Sequence, residues 1–192
     1  MKIIAINASP RAKGNTADLI QTALEPMEKR GMETEIIHIG GQPIHSCRGC
    51  GRCEKKQNQA CAMDDDIFNE IFGKMVRAQA ILLGSPTYFA DVTPEMKALM
   101  DRAGYVAMVN GGLLGRKVGA AVVAAYRAGS IHAFDTMNHL FSYSGMIIPG
   151  ADNWNLGVGL NPGDVQNDPT GLQTMKTLGE NMAWLLERIG QP

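Results

Sequence analysis

Apolar and polar positions alternate in blocks along this chain. Ile3–Ile6, Thr34–Ile39, Ala80–Leu83, Val118–Ala125 and Met146–Ile148 are short runs rich in aliphatic and β-branched residues, of strand length. Thr16–Arg30, Ile67–Val76, Pro94–Arg102, Ser130–Ser144 and a stretch from Asp168-Pro169 to about Arg188 carry their apolar residues at helical spacing instead. The punctuation agrees. Gly31 follows the first helix and Pro94 sits in the first turn of the third. Asp64–Asp66 precede the second, where acidic side chains cap a helix and complement its dipole. Five strands alternating with five helices predict an α/β fold, a parallel sheet covered on both faces with right-handed crossovers. Their number and spacing fit a doubly wound sheet of order 2-1-3-4-5, with ligands at the carboxyl ends of the strands. No repeat, linker or low-complexity segment interrupts the pattern, so residues 1–192 are read as one domain. Two connections, 40–63 and 151–167, are long for such a fold, and long connections in compact domains are often functional.

The first strand-to-helix connection carries the clearest chemistry. The apolar run ends at Asn7, a polar loop covers Ala8 to Asn15, and a helix starts at Thr16. The first N–H groups of a helix have no internal partner, and the aligned peptide dipoles favour an anion there. Ser9, Asn15 and Thr16 add short side-chain donors, Arg11 adds a planar cation suited to phosphate oxygens, and Gly14 lets the backbone turn closely. The loop is neither a G-x-G-x-x-G nor a Walker A. The plainer alternative is an ordinary turn with a threonine cap. Two further strand ends have similar character. Gly84-Ser85-Pro86-Thr87-Tyr88-Phe89 joins a stiff proline to hydroxyl and aromatic groups, and Tyr126-Arg127-Ala128-Gly129-Ser130 places glycine beside a helix start.

These segments resemble a known family. Ser9-Pro10-Arg11 through Gly14-Asn15-Thr16 is similar to the S-P-R-x-x-G-N-T phosphate loop of the NADPH-dependent FMN reductase-like branch of the flavodoxin-like flavoproteins. Gly84–Tyr88 resembles the G-S-P-x-Y segment of that family. The resemblance covers about residues 1–150 and implies the flavodoxin-like fold, with flavin held by the loops after strands one, three and four. It implies that Ser9, Arg11, Gly14, Asn15 and Thr16 hold the phosphate. Pro86, Thr87, Tyr88 and Phe89 would contact the ribityl chain and ring, and Tyr126, Arg127 and Gly129 would lie by the ring edge. FMN is favoured over FAD because the cradle takes a single phosphate and nothing marks an adenosine site. The resemblance further implies a homodimer or higher homo-oligomer, with NAD(P)H as a candidate donor.

All four cysteines fall in one window, Cys47-x2-Cys50-x2-Cys53-x7-Cys61. Two-residue spacing lets thiolates converge on one small object, and three such cysteines plus a remote fourth are a common grip on a [4Fe–4S] cluster. Gly49 and Gly51 permit the winding, and Arg48 and Arg52 favour thiolate. A structural zinc, or thiols that bind nothing and respond to oxidants, are the alternatives. The spacing resembles the compact motif of the iron–sulfur flavoproteins, with the last gap of seven at its long end. His45 is read as a loop side chain.

Composition narrows the partners. A net charge of −1, with 45% hydrophobic and 19% charged residues, gives no support for nucleic acid or an anionic membrane surface. No apolar stretch is long enough to span a bilayer, and the start lacks the pattern of a signal peptide, so a cytoplasmic protein is expected. No Ser-His-Asp or paired-carboxylate arrangement competes, and His38, His132 and His139 have no evident partner. No side chain is expected to be catalytic, since the chemistry belongs to the flavin. The functional expectation is an FMN-dependent redox protein passing electrons between a [4Fe–4S] cluster and FMN. The alternatives are an NAD(P)H-dependent flavin, quinone or nitro reductase without a cluster, a flavodoxin-like electron carrier, and a thiol-based sensor. Redox partners are small molecules or proteins.

Overall fold

A computed structural model describes residues 1–190. Its strands are β1 (Lys2–Asn7), β2 (Glu33–His38), β3 (Ala80–Pro86), β4 (Val118–Ala125) and β5 (Leu156–Val158). Its helices are α1 (Asn15–Glu28), α2 (Arg52–Lys56), α3 (Phe68–Arg77), α4 (Pro94–Val109), α5 (Ser130–Tyr143) and α6 (Pro169–Ile189), with a 3-10 turn at Asp164–Asn167. The strands form one parallel sheet in the order β2-β1-β3-β4-β5.

Strand alternation divides the core. Ile4 and Ile6 of β1 face α3, α4 and α5, where Phe68, Phe72, Leu99 and Phe141 pack. Ile3 and Ala5 face the other side, where α1 and α6 supply Leu19, Ile20, Leu178 and Met182. Every residue of the inner strand β4 is buried, as expected of a parallel strand covered on both faces. Helices α1 and α6 approach closely at Gly179, where an added Cβ would lie 2.2 Å from the Ala23 carbonyl oxygen.

The fifth strand is not where the apolar pattern puts it. Met146–Ile148 makes a single bridge, Ile147 against Val118, at the start of β4. Pro149, which has no N–H to donate, follows at once, and the chain leaves the sheet. It returns as Leu156–Val158, pairing with Val123–Ala125 at the other end of β4. One edge is therefore shared by two short pieces, and the second falls inside a segment read as a loop.

The acidic triplet also differs from expectation. Asp64 and Asp65 are exposed. Asp66 alone serves the start of α3, accepting from the Phe68 N–H at 3.1 Å, and it also accepts from the His45 N–H at 2.7 Å and pairs with Arg102. Among the described residues no helix is long and apolar enough to cross a membrane.

Candidate functional site

The carboxyl ends of β1, β3, β4 and β5 meet at a cleft of about 200 Å³. Ser9, Pro10, Arg11, Asn15 and Thr16 form one side, and Pro86, Thr87 and Tyr88 another. Ala124 and Tyr126 come from β4 and its loop, and Gly159 and Leu160 follow β5. Three strand-end segments read as chemistry thus converge with two residues, Gly159 and Leu160, that sequence reasoning passed over.

Helix α1 begins one residue earlier than expected, at Asn15, and Gly14 is its N-cap in extended backbone with no side-chain cap. The threonine-cap alternative is thereby excluded, and the donor groups of the first turn lack a side-chain partner. The loop before the helix is tied from several directions. Asn7 Oδ1 accepts from the Ser9 N–H at 3.0 Å, and Ser9 Oγ accepts from the Arg11 N–H at 3.2 Å. Thr93 Oγ1 donates to the Ala8 carbonyl at 3.1 Å. His38 at the end of β2 has a partner after all, since its Nε2 lies 2.7 Å from the Ser9 carbonyl oxygen. Gly40 lets that neighbouring loop close in, because an added Cβ would lie 1.9 Å from the same oxygen. Arg11 Nη1 donates to the Leu160 carbonyl at 3.2 Å, so its cation stands across the mouth of the cleft.

After β3, the Thr87 N–H donates to the Ala124 carbonyl at 2.8 Å, while the buried Thr87 Oγ1 has no partner. Tyr88 and Asp91 exchange two backbone hydrogen bonds, at 2.7 and 3.0 Å, around a tight turn. Its central residues, Phe89 (φ 47°) and Ala90 (φ 67°), occupy left-handed backbone that favours glycine or asparagine. Phe89 projects into solvent and does not line the cleft. Gly129 (φ 83°) precedes α5 and lies against this turn. Arg127 is exposed and, like Gly129 and Gly14, outside the cleft wall. Leu160 and Gly159 are held by Asp164 Oδ2, which accepts from the Leu160 N–H at 3.2 Å, and by the Ala125 carbonyl, which accepts from the Gly159 N–H at 2.9 Å. The only sequence signal for these two was the length of the connection.

The cysteines form a second locus. Cys47 and Cys50 are exposed, Cys61 is half-buried and Cys53 is buried, all as free thiols. All four line one small pocket together with Met63, Arg102, Tyr105 and Val106. Among the described residues, no three Cys, His, Asp or Glu side chains converge closely enough for a single metal ion. Gly49 (φ 59°) and Gly51 (φ 65°) make the left-handed turns that wind the loop into the short helix α2. The backbone N–H and then the guanidinium of Arg52 pull the Cys50 thiol below its ordinary value. Burial pushes the Cys53 thiol up, so basic neighbours do not favour thiolate at every position. Asn69 fixes the end of the loop, exchanging hydrogen bonds with Cys61 at 2.8 and 3.1 Å and donating to the Met63 carbonyl at 3.1 Å. His45 is a loop residue whose Nε2 stands 3.8 Å from Asp65.

The chain is similar to several known proteins. An iron–sulfur flavoprotein of Methanocaldococcus jannaschii is 37% identical over 98% of this chain and 99% of its own length. An iron–sulfur flavoprotein of Methanosarcina thermophila is 32% identical over 98% of this chain and 97% of its own. In three dimensions the fold is similar to that of RosB with a bound 8-demethyl-8-formylriboflavin-5′-phosphate intermediate. The TM-score is 0.78 at 18% identity, over 99% of this chain and 80% of that one. The NADPH-dependent FMN reductase family model matches residues 1–160. The chain belongs to that family, and it is a flavin-dependent oxidoreductase of the iron–sulfur flavoprotein branch.

Proposed function

We propose that the cleft holds FMN, that the four cysteines hold one [4Fe–4S] cluster, and that the protein exchanges electrons between the two. Support for the first part comes from an uncapped helix N-terminus beside a buried hydroxyl without a partner. In this reading Ser9, Arg11, Asn15 and Thr16 surround the phosphate, and Gly14 keeps the backbone close. Thr87 Oγ1 meets a polar group of the ribityl chain or ring, Pro86 stiffens its loop, and Tyr88 and Tyr126 form the aromatic wall. Phe89, Arg127 and Gly129 shape the rim. Bound flavin would supply one- and two-electron chemistry, while the chain orients it and limits access to it.

The observation that carries the cluster assignment is four free thiols around one pocket. Three cysteines at two-residue spacing with a remote fourth match a common grip on a cubane cluster. Relatives named iron–sulfur flavoproteins support the same choice. The test is iron and acid-labile sulfide per chain after anaerobic reconstitution. Near four of each beside one FMN is expected. Near-zero iron with full FMN overturns the cluster.

That second outcome would leave an NAD(P)H-dependent flavin, quinone or nitro reductase, a reading favoured by the exposed faces of Tyr88 and Tyr126 beside the cleft. Unpaired thiols suit a reducing compartment, and we place the protein in the cytoplasm. Exposed apolar side chains such as Phe89, Ile131 and Trp154 offer contact area to a second copy of the chain, which light scattering would reveal as a doubled mass.

A further inference from the structure

Arg102 is 1% exposed, unusual for a residue type that is almost never fully buried unless paired. It lies in the middle of α4, beneath the cysteine loop. Nη1 donates to the His45 carbonyl at 3.2 Å and pairs with Asp66, and Nη2 donates to the Met63 carbonyl at 3.1 Å. The guanidinium stacks 4.0 Å from the centre of the Phe68 ring. His45 and Met63 stand two residues outside Cys47 and Cys61, so one side chain ties together both ends of the thiol loop.

One donor is left over. Arg102 Nε is buried without any hydrogen-bond partner, and Arg102 lines the pocket shared by the four cysteines. A scaffold arginine that only joined the loop ends would leave that N–H as an uncompensated cost. Thiolate and sulfide sulfurs are acceptors, and hydrogen bonds to them together with local charge set the reduction potential of an iron–sulfur centre. The reduced state is the more negative, so an N–H donor from a cation stabilises it preferentially.

We propose that Arg102 is a positioning residue of the thiol site: its Nη groups close the loop, and its Nε–H donates to a sulfur of the group held there, raising that group's reduction potential. This rests on the reading that the cysteines hold an iron–sulfur cluster. Arg102→Lys keeps a cation near Asp66 and removes the Nε donor. After anaerobic reconstitution of the full chain with FMN, iron and sulfide per chain are measured, and the midpoints of cluster and flavin are titrated separately. Retained iron, a lowered cluster midpoint and an unchanged flavin midpoint are expected. An unchanged cluster midpoint at full iron content overturns the proposal. If Arg102→Lys loses the cluster, the decision passes to protein with Arg102 intact, grown on arginine labelled with 15N at Nε. An Arg48→Lys/Arg52→Lys background removes the two other nearby arginines. Pulsed EPR of the reduced protein is expected to show a 15N coupling, and its absence overturns the proposal. Wild type that holds no iron overturns the cluster reading, and this inference falls with it.

Discussion

His38 Nε2 lies 2.7 Å from the carbonyl oxygen of Ser9, joining the end of β2 to the loop that follows β1. A carbonyl only accepts, so Nε2 carries the hydrogen. The contact fixes the backbone at Ser9, which lines the cleft proposed to hold FMN. His38→Ala should loosen that backbone at a cost of about 1 kcal/mol, weakening FMN binding roughly fivefold. Fluorescence titration of apoprotein with FMN measures it, and equal affinity would remove His38 from the site.

Arg11 should matter more. Its guanidinium faces the cleft and donates to the Leu160 carbonyl, so it is placed before the ligand arrives. A charge-assisted contact contributes about 1.5–3 kcal/mol, so Arg11→Ala should weaken FMN binding by roughly tenfold or more. Thr16→Ala in the same chain should weaken it further. Unchanged affinity in the double variant would move the phosphate elsewhere.

Gly129 tests the rim. An added Cβ would lie 2.8 Å from Ala90 Cα, and φ is 83° there, so Gly129→Ala meets both backbone strain and a clash. Left-handed backbone costs a non-glycine residue about 1–2 kcal/mol, and the clash adds to it. Chemical denaturation should show a loss of about 2–3 kcal/mol. The reverse change, Ala90→Gly, relieves a strained position and should leave stability equal or slightly higher.

Asp66 makes stability depend on acid. Burial pushes its carboxyl up. The His45 N–H, the Arg102 guanidinium and the Phe68 N–H outweigh burial and hold it below the ordinary aspartate value of 3.8. The folded group is therefore the stronger acid. Its stabilisation is fully present above pH 3.8 and is lost as pH falls through the lower folded value. Asp66→Asn leaves Arg102 buried without a counter-charge, an expected loss of about 3–5 kcal/mol at neutral pH. The gap between the urea midpoints of the two proteins should be constant from neutral pH to about pH 5 and narrow as pH falls below 3.8.

Local pattern carried much of this molecule. The polar loop after β1, the order of elements and the cysteine window are legible because each depends on residues adjacent in sequence. The partners of those elements are not. Nothing near His38 or Gly40 announces that they press on Ser9, since that contact spans two strand ends. Arg102 and Asp66 meet across 36 positions, and the acidic triplet read alone looks like a cap. Met146–Ile148 is apolar enough for a strand, but Pro149 ends its ladder. Leu156–Val158 succeeds with less hydrophobicity because Asn155, 3% exposed, anchors it through a carbonyl that accepts from the Val123 N–H at 3.0 Å. Phe89 has the composition of a ring contact, and only its backbone angle shows that it points away.

The divided edge beside β4 bears on how the protein survives at high concentration. A long free strand is a template on which other chains polymerise. Here the outer rung is a single bridge at one end and three residues at the other, with Pro149 and Gly150 between. The opposite margin, β2, presents Glu33 and Glu35 locked to Lys2 and Lys74. Neither flank offers an uninterrupted apolar ribbon, so the sheet is poorly suited to seeding fibrils even though its interior strands are almost wholly aliphatic.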